Sequence, residues 1–326
     1  MQTGWAFVDG HWNYFASSGA MKTGWVKDQE TWYYLDKDGI MLTGRQDING
    51  VRYYLNASGA MQTGWKWQDN SWYFYTNSGA MKTGWVKDQE TWYYLDKDGI
   101  MLTGSQDING VRYYLNASGA MQTGWAFVDG HWNYFASSGV MKTGWLKDGE
   151  AWYYLEGKEG IMLVGLHQVD GKQYYFSKSG AMQTGWKWSD NHYRYFESNG
   201  AMKTGWIKDK GVWYYLNPED GIMLVGLHKV NGEHYYFDET GAMETGWKQL
   251  DGNWYYFQAD GSLLKNATTP DGYKVNEEGI WKQAVAAVNS EAVKPEQKQE
   301  SNSSIVEQPK QDSNLEANAS EKKEKE

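Results

Sequence analysis

An all-β solenoid, a superhelix of β-hairpin repeats about twenty residues long, is the fold this sequence predicts. Three observations predict it: a Thr-Gly-Trp motif at near-constant spacing, two short aromatic-rich runs around a polar turn in every repeat, and an aromatic content of 17% beside few aliphatic residues. The motif glycine recurs at Gly4, Gly24, Gly44, Gly64, Gly84, Gly104, Gly124, Gly144, Gly165, Gly185, Gly205, Gly226 and Gly246. Self-similarity at a fixed short period is the signature of a stacked repeat architecture. The step is 20 residues and lengthens to 21 twice, both times in the same loop, where LDKDGIM becomes LEGKEGIM or LNPEDGIM. Length changes confined to one loop imply that packing fixes the strands on either side.

Each repeat, such as TGWVKDQETWYYLDKDGIML at residues 23–42, reads as a hairpin, because strand-forming Trp, Tyr and Val flank a polar turn. The turn varies between KDQE, VDGH and DING, and the last two hold the Asp-Gly and Asn-Gly pairs that tight hairpin turns favour. Gly39, Gly59 and their equivalents let the chain swing into the next unit. A lone hairpin is barely stable, so neighbouring units must bury each other's faces.

A longer period is superimposed. Residues 21–44 repeat letter for letter at 81–104, and residues 1–19 at 121–139. Tryptophan is withheld from every third unit, which carries Arg45 and Arg52, then Ser105 and Arg112, Leu166 and Gln173, and Leu227 and His234. This superperiod predicts about three hairpins per turn. Residues 1–262 therefore hold about thirteen hairpins, residues 263–282 a degenerate terminal capping unit with Tyr273 and Trp281, and residues 283–326 a disordered polar tail or linker.

Composition excludes several classes. A net charge of -10 has the wrong sign for nucleic-acid backbones and suits a cationic ligand. The absence of Cys removes disulfides and thiolate chemistry and fits an exported bacterial protein. No apolar run reaches membrane-spanning length, so no membrane span is expected. The start at MQTGW, already in phase with the repeats, reads as a truncation that would have removed an export signal.

Side chains alternate along a strand, so in TWYYL Trp32 and Tyr34 share one face and Tyr33 and Leu35 the other. Leu35 marks the inner face, and Tyr33, Tyr53 and their equivalents read as packing residues. Trp25 and Trp32 remain at the groove between hairpins, where Tyr54 of the next unit and Met41 of the connector are expected to complete a box. Such a box, lacking an obligatory carboxylate, suits a quaternary ammonium ion. A pure packing role would not tolerate Arg, Ser, Gln and His at the tryptophan positions of every third repeat; an exposed position would.

The order TGW, turn, xWYY, GxMxTGW resembles the choline-binding repeats of Gram-positive cell-surface proteins over about residues 1–282, and DGYKVNEEGIW resembles that family's terminal segment. The resemblance implies a hairpin solenoid that binds choline or phosphocholine on teichoic and lipoteichoic acids, secreted to the cell surface, with no cofactor. Carried onto this chain, the implied boxes are Trp5, Trp12 and Tyr34; Trp25, Trp32 and Tyr54; Trp65, Trp72 and Tyr94; and Trp85, Trp92 and Tyr114. They continue as Trp125, Trp132 and Tyr154; Trp145, Trp152 and Tyr175; Trp186, Tyr193 and Tyr215; and Trp206, Trp213 and Tyr236. Trp247 and Trp254 lack an evident third ring. The Trp-poor units would stack on one side, leaving two choline-binding sides and one side free for a protein partner.

An α-glucan-binding repeat module is the nearest rival, and the Met-x-Thr-Gly-Trp connectors favour choline over it. The second rival is the targeting arm of a cell-wall hydrolase. Asp28, Glu30, Asp36 and Asp38 recur in turns as solvated charges, and none of the six His forms a metal-binding spacing, so no catalytic residue and no metal are expected in this chain. A β-propeller fits poorly, because the unit has two strands.

Overall fold

A computed structural model of the chain describes residues 1–281; the predicted tail at 283–326 lies outside the described residues. Its main elements are thirteen antiparallel hairpins, most of them separate two-stranded sheets that do not close on one another, so the fold is an open β-solenoid. The described residues divide into two compact units, Met1–Lys203 and those from Thr204 to Trp281. The first unit carries ten hairpins, from Gly4–Val8 with His11–Phe15 to Gly185–Ser189 with His192–Phe196. The second carries three, Gly205–Asp209 with Val212–Leu216, Gly226–Val230 with Glu233–Phe237, and Gly246–Leu250 with Asn253–Phe257.

The turns explain why each hairpin closes in one register. In the third hairpin Asn49 and Gly50 both take positive φ, 51° and 78°, as a two-residue turn matching the strand twist requires. In the fifth, Gln89 and Glu90 are driven into the same region, at 44° and 70°. Left-handed backbone costs an ordinary residue on the order of 1–2 kcal/mol. The strand pairing around that turn must therefore outweigh it.

Connectors tie the hairpins together. The Met41 N–H donates to the Trp12 carbonyl at 2.9 Å, the Met61 N–H to that of Trp32 at 2.8 Å, and the pattern continues along the first unit. Each connector methionine also bridges the end of the preceding strand, as Leu35 with Met41. The Met41 sulfur then packs where a Cβ on Gly59 would stand, and Gly59 itself has a φ of 78°. Glycine is required there twice over, by backbone conformation and by close approach. Between these points the Asn56 side-chain oxygen accepts the N–H groups of Ser58 and Ala60, at 3.0 and 2.9 Å, so Asn-Ala-Ser at residue 56 is a turn-forming unit.

The core is a line rather than a ball. Leu35, Leu55, Leu95 and Leu115 are fully buried, as are Tyr75, Phe176, Phe196, Phe237 and Phe257 at the same repeat position. The predicted inner face is therefore the observed one. The longer loop after Ala151–Glu156 leaves the hairpin register unchanged, Gly144 still facing Leu155, and Ile161–Met162 pairs back on Leu155 and Glu156.

Candidate functional site

In the second hairpin Trp25 lies directly opposite Tyr34, and Lys27 opposite Trp32. All four side chains share one face, so Trp25 and Trp32 are diagonal neighbours. Their rings meet edge to face, 6.3 Å apart at 89°. The next hairpin presents its other face to this pair. Tyr53, not Tyr54, meets Trp25, at 4.8 Å and 65°.

The same contact recurs along the chain. The third ring comes from Tyr33 at Trp5, Tyr93 at Trp65, Tyr113 at Trp85, Tyr153 at Trp125, Tyr174 at Trp145 and Tyr235 at Trp206, all within 4.7–4.9 Å. Tyr34, Tyr94, Tyr154 and Tyr215 instead pack on the tryptophan of their own hairpin, at 5.0–5.1 Å. Tyr54, Tyr114, Tyr175 and Tyr236 lie one groove further on, against Tyr75, Phe135, Phe196 and Phe257 at 6.0–6.1 Å. The reason is geometric: one face of each hairpin meets the opposite face of the next, so the ring reaching Trp25 shares its face with Leu55. Tyr33 and Tyr53, read from the sequence as packing residues, thus pack edge to face on the first tryptophan of the preceding hairpin.

Two kinds of groove alternate. In the second, fifth, eighth and eleventh hairpins, Trp25–Trp32, Trp85–Trp92, Trp145–Trp152 and Trp206–Trp213 form edge-to-face pairs at 6.1–6.3 Å. The second tryptophan of each stays open to solvent, as with Trp32, which is 41% exposed. In the first, fourth and seventh hairpins the second tryptophan packs on a further aromatic directly across the hairpin, as Phe7–Trp12, Trp67–Trp72 and Phe127–Trp132 at 5.4–5.6 Å. The tenth has Trp188–Tyr193 at 4.7 Å. Sequence reading missed Phe7, Trp67, Phe127 and Trp188, although an aromatic two residues after Gly-Trp in every third repeat is a visible signal.

Polar groups differ accordingly. The indole N–H of Trp5, Trp65 and Trp125 donates to Asp28, Asp88 and Asp148 of the following hairpin, at 3.1, 3.0 and 2.8 Å. After the second and fifth hairpins that place belongs to buried Ile48 and Ile108, and after the eighth to Val169. Asp28 is thus a positioning residue for the Trp5 ring. Burial first, and the Asp148 carboxylate second, push the Tyr153 phenol above its ordinary range, so this wall stays neutral at physiological pH. At the C-terminal end, Tyr273 and Trp281 close around Trp247 at 5.7 and 6.3 Å, Asp271 takes its indole N–H at 2.8 Å, and Trp247 is buried. The thirteenth Trp pair is therefore part of the cap's packing.

Ring faces at right angles, open on one side, attract a cation through their quadrupoles and offer an ammonium ion no obligatory hydrogen bond. Among the described residues no three His, Asp or Glu side chains converge as metal ligands, and no helix is long and apolar enough to cross a membrane.

Comparison with known proteins agrees with this geometry. A family model described as "Choline-binding repeat" matches nine overlapping segments between residues 2 and 267. Choline binding protein F of Streptococcus pneumoniae, crystallised in the presence of a peptidoglycan analogue, is 32% identical, with a TM-score of 0.50 over 80% of this chain and 98% of that one. CbpJ of the same organism is 33% identical over 86% of this chain and 100% of that one, at a TM-score of 0.34. The S. pneumoniae autolysin LytC is 26% identical over 74% of this chain and 52% of that one, at a TM-score of 0.49. No curated protein sequence matches the chain. The repeats, their hairpin geometry and the extent of these matches place the chain in the choline-binding repeat family.

Proposed function

We propose that the chain attaches non-covalently to the bacterial cell wall by binding choline, as phosphocholine on teichoic and lipoteichoic acids, in the grooves between consecutive hairpins. The observation that carries this is the recurrence of one constellation, two aromatics from one hairpin and the first tyrosine of the next. The sites would be Trp5, Trp12 and Tyr33; Trp25, Trp32 and Tyr53; Trp65, Trp72 and Tyr93; Trp85, Trp92 and Tyr113; Trp125, Trp132 and Tyr153; Trp145, Trp152 and Tyr174; and Trp206, Trp213 and Tyr235. Trp186 and Tyr193 stand at the equivalent positions of the tenth hairpin. Each ring face contributes on the order of 0.5–2 kcal/mol, enough for millimolar to micromolar affinity per groove. Repetition on one chain converts weak single sites into strong retention on a polymer that carries many ligands.

The same reading makes the chain an attachment module secreted to the cell surface, without catalysis of its own. Its recurrent carboxylates have other work: Asp28 orients Trp5, and Asp36 accepts backbone N–H groups in its turn. The crystallisation of choline binding protein F with a peptidoglycan analogue supports a wall location. Titration of the intrinsic tryptophan fluorescence with choline is the test. A saturable change at millimolar choline or below is expected; a flat response overturns the reading.

A further inference from the structure

The third and sixth hairpins, with their connectors, are a natural substitution experiment. Residues 41–64 and 101–124 differ at one position, Arg45 against Ser105. In the third hairpin the Arg45 guanidinium crosses the groove to the fourth hairpin, lies over the Tyr73 ring at 5.0 Å and pairs with Asp69. The chain has placed its own cation against the ring that corresponds to the third wall of a choline box. Nearby acids are also served: Arg52 reaches Asp47 at 3.4 Å, and Lys97 reaches Asp98 at 2.6 Å.

The sixth hairpin lacks that arginine, and a cavity of about 230 Å³ opens in the corresponding groove, lined by Ser105, Arg112, Asp129, His131, Asn133 and Glu159 among others. At about 30 Å³ per water this is far more than one solvent site. Arg112 is engaged by two acids, donating to Asp107 at 2.8 and 3.0 Å and to Glu159 at 2.6 Å. Asp129 occupies the turn position of Asp69, with a φ of 51° against 46°, yet no described cation pairs with it. Asn133, 5% exposed, stands where Tyr73 supplies its ring, and its amide donates to the Gly160 carbonyl at 2.8 Å. The cavity thus keeps the acid that receives a guanidinium while losing the aromatic wall a quaternary ammonium needs.

We infer that the groove between the sixth and seventh hairpins is a binding site for a guanidinium cation, the end of an arginine side chain on a peptide, held by Asp129 in the space that Arg45 fills in the third groove. This goes beyond choline binding: the ligand carries N–H donors, and the recognising group is a carboxylate rather than a ring. Two parallel N–H···O bonds from a guanidinium suit one carboxylate, a geometry an ammonium group cannot match.

N-acetyl-L-arginine amide titrated into the full chain by calorimetry tests the assignment, with N-acetyl-L-lysine amide and choline as parallel arms. Saturable binding of one arginine amide is expected, with the lysine compound weaker. Asp129→Asn keeps a residue tolerant of positive φ and should weaken arginine amide about tenfold. Ser105→Arg should remove the binding by filling the groove from within, and both variants should bind choline as the parent does. No saturable arginine amide binding, equal binding of the lysine compound, or binding unchanged in both variants overturns the inference. The choline arm reports separately on the aromatic grooves.

Discussion

The grooves after the second and third hairpins share one backbone and differ in what lines them. After the second, Trp25, Trp32 and Tyr53 leave ring faces open; after the third, Arg45 covers Tyr73 and Arg52 pairs with Asp47. The inner line beneath is the same, with Leu35 and Leu55 both fully buried. The buried inner line is therefore kept while the side chains at the groove change, Trp25 and Trp32 giving way to Arg45 and Arg52.

The largest expected effect tests that separation. Leu35→Ala and Leu55→Ala should destabilise alike, by about 2–5 kcal/mol locally, read as equal drops in the urea midpoint. A marked inequality would mean that the tryptophans also carry the fold. Next, Tyr53→Ala should weaken choline at its groove by about 1–2 kcal/mol, while Tyr54→Ala should leave that groove intact, as read by calorimetry on variants with one groove altered at a time. Equal losses would return the third wall to Tyr54. The double substitution Arg45→Trp with Arg52→Trp should erase the difference between the two grooves and add one choline equivalent to the calorimetric stoichiometry.

Smaller effects separate the two kinds of aromatic groove. Asp28→Asn should weaken choline at Trp5 about two- to fivefold, through a looser indole, within the cost of one hydrogen bond. A groove backed by Ile48 has no such residue to lose. The smallest effect is a pH dependence in the Trp-poor twelfth hairpin. Burial first, then Lys265 and Lys229, lower the His234 pKa below its ordinary 6.5. The unfolded chain therefore takes up that proton first, so the stability His234 contributes is present above about pH 6.5 and lost as pH falls below it. His234→Gln should flatten that slope in denaturant midpoints measured across pH 5–8.

Much of this was legible in the sequence. Alternation along TWYYL assigned Leu35 to the inner face and Trp25 with Trp32 to the groove, because both follow from the period of a single strand. Tyr53 was not legible as the ring that meets Trp25. Which face of the next hairpin turns toward Trp25 depends on the path of the connector, set by long-range bonds such as Met41 N–H to the Trp12 carbonyl. Phe7 and Trp67 escaped because their position holds Lys27, Asp47 and Lys87 in the adjacent repeats and gave no aromatic pattern at the twenty-residue period. The partners of Trp247 escaped because residues 263–281 leave the repeat, so nothing in its phase points to Asp271 or Trp281.

A crystal structure of the protein soaked with choline tests the central claim most directly. Choline is predicted between Trp25, Trp32 and Tyr53 and in the equivalent aromatic grooves, with Arg45 still lying over Tyr73. Choline over Tyr73 with Arg45 displaced, or aromatic grooves empty at saturating choline, would contradict it.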